Sequence, residues 1–179
     1  MSAVAIAADR LGDFDHDARL LDLETFRALH GEAFFVHYGA LETLPPSSAL
    51  RGTVNSEELR IDGSWLHQYF VFRLRKAPGE RLDVPICIGR TSENDVVIPD
   101  ESLSRRHAQV SSIAYNESSP WIIRDLGSTN GTAVDDVVLP RDIPTSLVTG
   151  SRVRLGSVEL TFLLAREFCT LVRRLGPRG

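Results

Sequence analysis

Ile88-Gly89-Arg90, Ser104-Arg105-Arg106-His107 and Gly127-Ser128-Thr129-Asn130-Gly131 are three short islands, each placed where an apolar run ends. Each therefore reads as a loop tip between strands. Together they supply fixed cations, several hydroxyls, an amide side chain and turn glycines. That inventory suits a phosphate ester on a peptide, and it contains no obvious nucleophile–base pair. The rest of the chain reads as the scaffold that brings these tips together.

Working outward, short apolar runs recur with turn signals between them. Phe70, Phe72 and Leu74 alternate with Tyr69, Val71 and Arg73, as a half-buried strand requires. Val84–Ile88, Asp95–Ile98, Ala108–Ile113 and Trp121–Leu126 follow, and Thr132–Val134 continues as strand. Val153 and Leu155 alternate with arginines, Gly156-Ser157 is a two-residue hairpin turn, and Val158, Leu160, Phe162 and Leu164 face inward. Many short strands without long intervening helices predict an antiparallel sandwich rather than a βαβ fold.

The flanks are different. Residues 1 to about 20 read as a loosely ordered acidic leader. Asp13, Asp15 and Asp17, with Leu20 and Glu24 beyond, imitate a calcium loop, but Ala18 stands where the sharp turn needs glycine. Asp22 to Gly31 predicts a short helix over 23–30: Asp22 caps it, Glu24 suits its N-terminal end, and Gly31 stops it. Leu23, Phe26, Leu29 and His30 would share one face. Glu32–Tyr38 reads as a strand or a buried segment. Leu44-Pro45-Pro46 breaks regular structure, and residues 49–64 suggest a hairpin closed by Asp62-Gly63. At the other end, Phe168, Leu171, Val172 and Leu175 form the stripe of a helix over Arg166–Leu175, expected to dock on the sandwich.

Composition narrows the function. The 179 residues are 42% hydrophobic and 25% charged, ordinary for a globular protein. With a net charge of −4 and a pI near 5.7, no basic field covers the molecule. Nucleic acid is therefore not the expected partner, because such binding depends on many phosphate-neutralising cations. No apolar run approaches about 20 residues, so no membrane span is expected. Cys87 and Cys169 have no metal-like spacing, Cys87 reads as a buried small hydrophobe, and no secretion signal supports a disulfide. A reduced, cytoplasmic protein with no cofactor and no metal is the expectation.

Taken in order, Ile88-Gly89-Arg90, Asn94-Asp95, Leu103-Ser104-Arg105-Arg106-His107-Ala108, Asp125-Leu126-Gly127-Ser128-Thr129-Asn130-Gly131-Thr132 and Leu155-Gly156 closely resemble a forkhead-associated (FHA) domain. The likeness covers about residues 66–164. It implies an all-β fold, an eleven-stranded antiparallel sandwich of two twisted sheets whose apical loops bind phosphothreonine peptides. The organisation expected is an N-terminal extension over 1–64 of mixed structure, an FHA domain over 65–164, and a C-terminal helix and tail over 165–179. By the resemblance, Arg90 and Ser104 would contact phosphate with Thr129 beside them. Arg105 would contact phosphate or peptide, and Asn130 would hold the peptide backbone. His107 would brace the loop from inside, while Gly89 and Gly131 would permit the turns. The partner implied is a phosphothreonine protein in a Ser/Thr kinase pathway, with selectivity set by loops near Val134–Val138 and Ile143–Thr149.

Two rivals come from other classes. A phosphate-independent assembly component would use the extension and the tail helix as its interface. A hydrolase would need Ser104, His107 and Asp125 to act as a triad, yet serine and histidine three apart in a tight loop rarely align for that. Thr43 and Thr53, ahead of the module, are sites where phosphorylation would let the chain occupy its own site.

Overall fold

The computed structural model describes residues 8–38, 69–76, 84–112 and 120–175. Twelve strands form two sheets: β1 (Asp9–Arg10), β2 (Ala33–Tyr38), β3 (Tyr69–Arg73), β4 (Ile86–Gly89), β5 (Val96–Val97), β6 (Ala108–Ser112), β7 (Trp121–Asp125), β8 (Thr132–Val134), β9 (Val137–Val138), β10 (Thr145–Leu147), β11 (Arg152–Leu155) and β12 (Val158–Leu164). The seven-stranded sheet runs β1-β3-β2-β12-β11-β8-β9, and the five-stranded sheet runs β10-β7-β6-β4-β5. Neighbours pair antiparallel except β4 with β5, which pair parallel. The all-β sandwich is as expected. Among the described residues twelve strands are seen, close to the eleven expected.

The inner faces of the two sheets meet in one core that includes Phe35, Phe72, Ile88, Trp121, Ile123 and Phe162. The alternation read for β11 and β12 is the alternation observed: Val153, Leu155, Val158, Leu160 and Phe162 are buried, while Arg152, Arg154 and Glu159 are half-buried on the other face.

A second core lies on the outer face of the larger sheet, and it corrects the reading of the leader. Residues 9–20 are not loose. They supply β1, a 3-10 turn over Leu11–Phe14 and α1 (Asp15–Leu20), with Leu11, Phe14 and Ala18 buried. The acidic spacing is consumed locally: Asp13 accepts the Arg10 amide at 2.8 Å, Asp15 pairs with Arg19 and Asp17 with His30, both at 2.8 Å. The expected short helix is α2 (Leu23–His30), capped by Asp22, whose carboxylate accepts the Thr25 amide at 2.9 Å. Of its apolar face only Phe26 is fully buried, and Leu29 is exposed. The tail helix is α3 (Ala165–Leu175), and it docks as expected through Phe168 and Val172. Phe168 stacks on Phe34 with ring centroids 4.1 Å apart and meets Phe14 edge-on at 5.0 Å.

β2 shows why the apolar run Ala33–Val36 could not be assigned by periodicity. Phe35 faces the sandwich core and Phe34 and Val36 face the helical layer, so both faces are dry. β2 pairs with β12 on one side and β3 on the other. Hydrogen bonding thus crosses the boundary expected between residues 64 and 65.

Cys87 is also a correction. It lies half-exposed on the outer face of β4, while Cys169 is the buried thiol, pushed up to about 11 chiefly by burial; both are free. The hairpin expected over 49–64, the break at 44–48, Thr43 and Thr53 lie outside the described residues.

Candidate functional site

Sheet register brings the three islands to one end of the sandwich. Ile88 of β4 stands opposite Ala108 of β6, and Ala108 stands opposite Asp125 of β7. Antiparallel pairing therefore places the end of β4, the start of β6 and the end of β7 along one edge of the sheet. The residues just beyond are Gly89-Arg90, Ser104–His107 and Leu126–Gly131. Arg90, Ser104, Arg105, Thr129 and Asn130 line a single open depression of about 510 Å³, together with Glu93, Glu101, Ser102, Leu103 and Arg106. All five residues expected to touch a phosphopeptide are thus adjacent.

The backbone beneath them is fixed by hydrogen bonds between loops. The Arg90 amide donates to the Ser104 carbonyl at 3.1 Å, and the His107 amide to the Ile88 carbonyl at 2.8 Å. Gly89 is required for a reason other than the turn expected of it. A Cβ there would lie 2.2 Å from the Arg105 carbonyl oxygen, so only glycine admits this close approach. Gly131 does sit at positive φ, +77°, as its turn demands.

His107 is fully buried and braces the loops. Its Nδ1 lies 3.1 Å from the Ser104 amide and its Nε2 3.1 Å from the Gly131 carbonyl. The amide can only donate and the carbonyl only accept, so the imidazole is neutral with its proton on Nε2. Burial chiefly depresses its pKa below the ordinary 6.5, and the Gly131 carbonyl and the Asp125 charge oppose that only in part. A depressed folded value means that stability is fully present above about 6.5 and is lost as pH falls through the lowered value. The expected result is that the Tm advantage of the wild type over His107→Ala shrinks between about pH 7.5 and about pH 5. A difference constant across that range would contradict this role.

Asp125 organises the third island, bonding loop backbone as the sequence suggested. One carboxylate oxygen accepts the Gly127 and Ser128 amides at 2.7 and 2.9 Å, and the other accepts the Ser128 and Thr132 hydroxyls, each at 2.6 Å. Burial alone would raise its pKa, but these donors outweigh it and hold the carboxyl below its ordinary value.

The polar atoms over this frame are close together. Ser104 Oγ accepts the Thr129 amide at 3.0 Å and lies 3.4 Å from Thr129 Oγ1. Asn130 Nδ2 donates to the Ser102 carbonyl at 2.8 Å, which fixes the amide plane at the rim. Among the described residues the Arg90 and Arg105 guanidinium groups are engaged by no ion pair or hydrogen bond. Arg106 instead turns toward Cys87, with Nη2 3.5 Å from Sγ.

Asn94 holds a place that sequence reasoning did not assign. It is 3% exposed, and its Nδ2 donates to the Thr91 carbonyl at 2.9 Å and the Arg105 carbonyl at 2.6 Å, tying the first island to the second. Its signal was its position four residues after Arg90, within the motif. Val134–Val138 and Ile143–Thr149, expected as selecting loops, contain β9 and β10 and line no part of the depression. Nor do Ser104, His107 and Asp125 form a triad: both imidazole nitrogens are taken by backbone groups, and Asp125 is spent on its own loop.

A family model for the FHA domain matches residues 86–156. The FHA domain-containing protein FhaB of Mycobacterium tuberculosis is 31% identical over 115 residues, covering 63% of this chain and 70% of that protein. FhaB of Mycolicibacterium smegmatis is 36% identical over 76 residues, 42% of this chain and 45% of that protein. Among solved structures, the MEK1 FHA domain is 18% identical with a TM-score of 0.47, covering 79% of this chain and 96% of that one.

Proposed function

This chain belongs to the FHA domain family, and on that premise we propose that it captures partner proteins phosphorylated on threonine in a Ser/Thr kinase pathway. The observation that carries the reading is the convergence of Arg90, Ser104, Arg105, Thr129 and Asn130 on one depression above a hydrogen-bonded frame. A phosphothreonine brings a charge of about −1.5 to −2 and three acceptor oxygens. Recognition therefore needs directed donors rather than positive potential alone. Arg90 offers a planar fork to two oxygens, and Ser104 Oγ and Thr129 Oγ1 supply donors for the rest. Asn130, with one amide hydrogen already held by Ser102, presents its remaining hydrogen and its carbonyl to the peptide backbone. Arg105 reaches phosphate or peptide from the rim. Gly89, His107 and Gly131 keep these groups in place.

The mechanism is recruitment. A kinase creates the anion on the partner, and the preformed loop cluster binds it without cofactor or chemistry. The FHA domain is a protein-interaction module. The rival, phosphate-independent assembly through the extension and tail helix, has less apolar surface to use where Phe26, Phe168 and Val172 are each 0% exposed, although Leu20 and Leu29 stand exposed. No helix among the described residues is long and apolar enough to cross a membrane. A cytoplasmic location fits a kinase-dependent partner.

The family's preference for threonine implies a niche for its methyl group. Titrating the full chain with matched peptides bearing phosphothreonine, phosphoserine or unmodified threonine should give binding only with phosphate, tightest for phosphothreonine. Equal affinity for the phosphothreonine and phosphoserine members would refute the niche.

A further inference from the structure

Glu93 and Glu101 line the same depression as Arg90, Ser104 and Thr129, and both are exposed. Each stands on a pinned turn. The turn of Glu93 is closed by the Asn94 amide on the Thr91 carbonyl at 3.2 Å and anchored by the Asn94 side chain. The turn of Glu101 is closed by the Leu103 amide on the Asp100 carbonyl at 3.1 Å, with the Asp100 carboxylate accepting the Ser102 amide at 2.8 Å. Three arginines share the depression, yet among the described residues neither glutamate is engaged in an ion pair or hydrogen bond. These carboxylates are therefore not neutralised internally. They stand at fixed places on the rim of an anion site.

The charge count decides what such a rim does. Arg90, Arg105 and Arg106 against Glu93 and Glu101 leave one positive charge, less than the phosphate's about −1.5 to −2. A bound phosphothreonine thus leaves the depression with negative charge in excess. Further acidic side chains on the peptide would meet unpaired carboxylates, and basic ones would find partners. We infer that this site selects phosphothreonine sequences flanked by lysine or arginine and disfavours acidic flanks, with Glu93 and Glu101 as the selecting residues. The inference rests on the phosphothreonine reading above.

The test titrates the full chain with three phosphothreonine peptides on an otherwise alanine background: one neutral, one carrying lysine on both sides of the phosphothreonine, one carrying glutamate there. Exposed charge pairs support a modest effect, so the lysine peptide should bind about three- to tenfold tighter than the glutamate peptide. The ratio should shrink as salt rises past about 0.1 M. It should fall toward one in Glu93→Gln/Glu101→Gln and reverse in Glu93→Lys/Glu101→Lys. The neutral peptide, bound at least as tightly by the double Gln variant as by the wild type, reports that the site remains folded. Equal affinity of the wild type for the lysine and glutamate peptides, with both saturable, overturns this inference and leaves phosphothreonine recognition standing. No saturable binding of any of the three would remove recognition itself, and the selection with it.

Discussion

Alanine in place of Arg90 is expected to weaken phosphothreonine-peptide binding by ten- to a hundredfold or more. A hydrogen bond to a charged group is worth about 1.5–3 kcal/mol, and about 1.4 kcal/mol is a decade in affinity. Arg90 is exposed, and its backbone anchor to Ser104 survives the substitution, so the loss should appear in binding rather than in folding. Lysine should rescue poorly. It restores the charge but not the planar fork that engages two phosphate oxygens together. Fluorescence anisotropy with a labelled peptide, alongside a thermal melt, separates the two effects. An Arg90→Ala protein that binds within twofold of the wild type would contradict the assignment.

A fragment limited to residues 65–164 is expected not to fold cooperatively. It lacks β2, which lies between β3 and β12, and so leaves β3 without its partner. It also lacks Phe14, Phe26, Phe34, Phe35 and Phe168, all buried. Burying one phenylalanine contributes about 1.5–3 kcal/mol, so the five together rival the about 5–15 kcal/mol by which a whole domain is stable. The fragment 8–175 retains both cores. A thermal melt followed by circular dichroism should show a sharp transition for 8–175 and none for 65–164. A sharp transition in the shorter fragment, with undiminished peptide affinity, would mean that the helical layer is dispensable.

The difference between those fragments marks where sequence was legible. Alternating stretches such as Val153–Leu155 and Val158–Leu160 announce which face is buried, because a period of two registers when polar side chains alternate with apolar ones. The islands were legible for a related reason: glycine, serine and asparagine cluster where the chain must turn and donate. Asp125 and His107 spend their polar atoms on loop groups, Asp125 on the Gly127 and Ser128 amides and His107 on the Ser104 amide and the Gly131 carbonyl. β2 was ambiguous because both its faces are covered. Leu11 and Phe14 are scattered among aspartates over too short a span for periodicity to register, yet they close a core with α3, whose sequence lies more than 150 residues away. β9 and β10 are short edge strands, and the turn between β8 and β9 uses Asp135 and Asp136 at φ 47° and 69° in place of the usual Asn-Gly. At Gly89 the constraint is the approach of the Arg105 carbonyl from a different loop, a tertiary fact that no local pattern encodes.

The most direct test is to screen the full chain against a degenerate phosphothreonine peptide library, then titrate the best ligand before and after phosphatase treatment. Saturable binding that disappears with the phosphate is the outcome required if a guanidinium and two hydroxyls converge to hold an esterified anion. Absence of any saturable ligand, or an affinity unchanged by dephosphorylation, would contradict it.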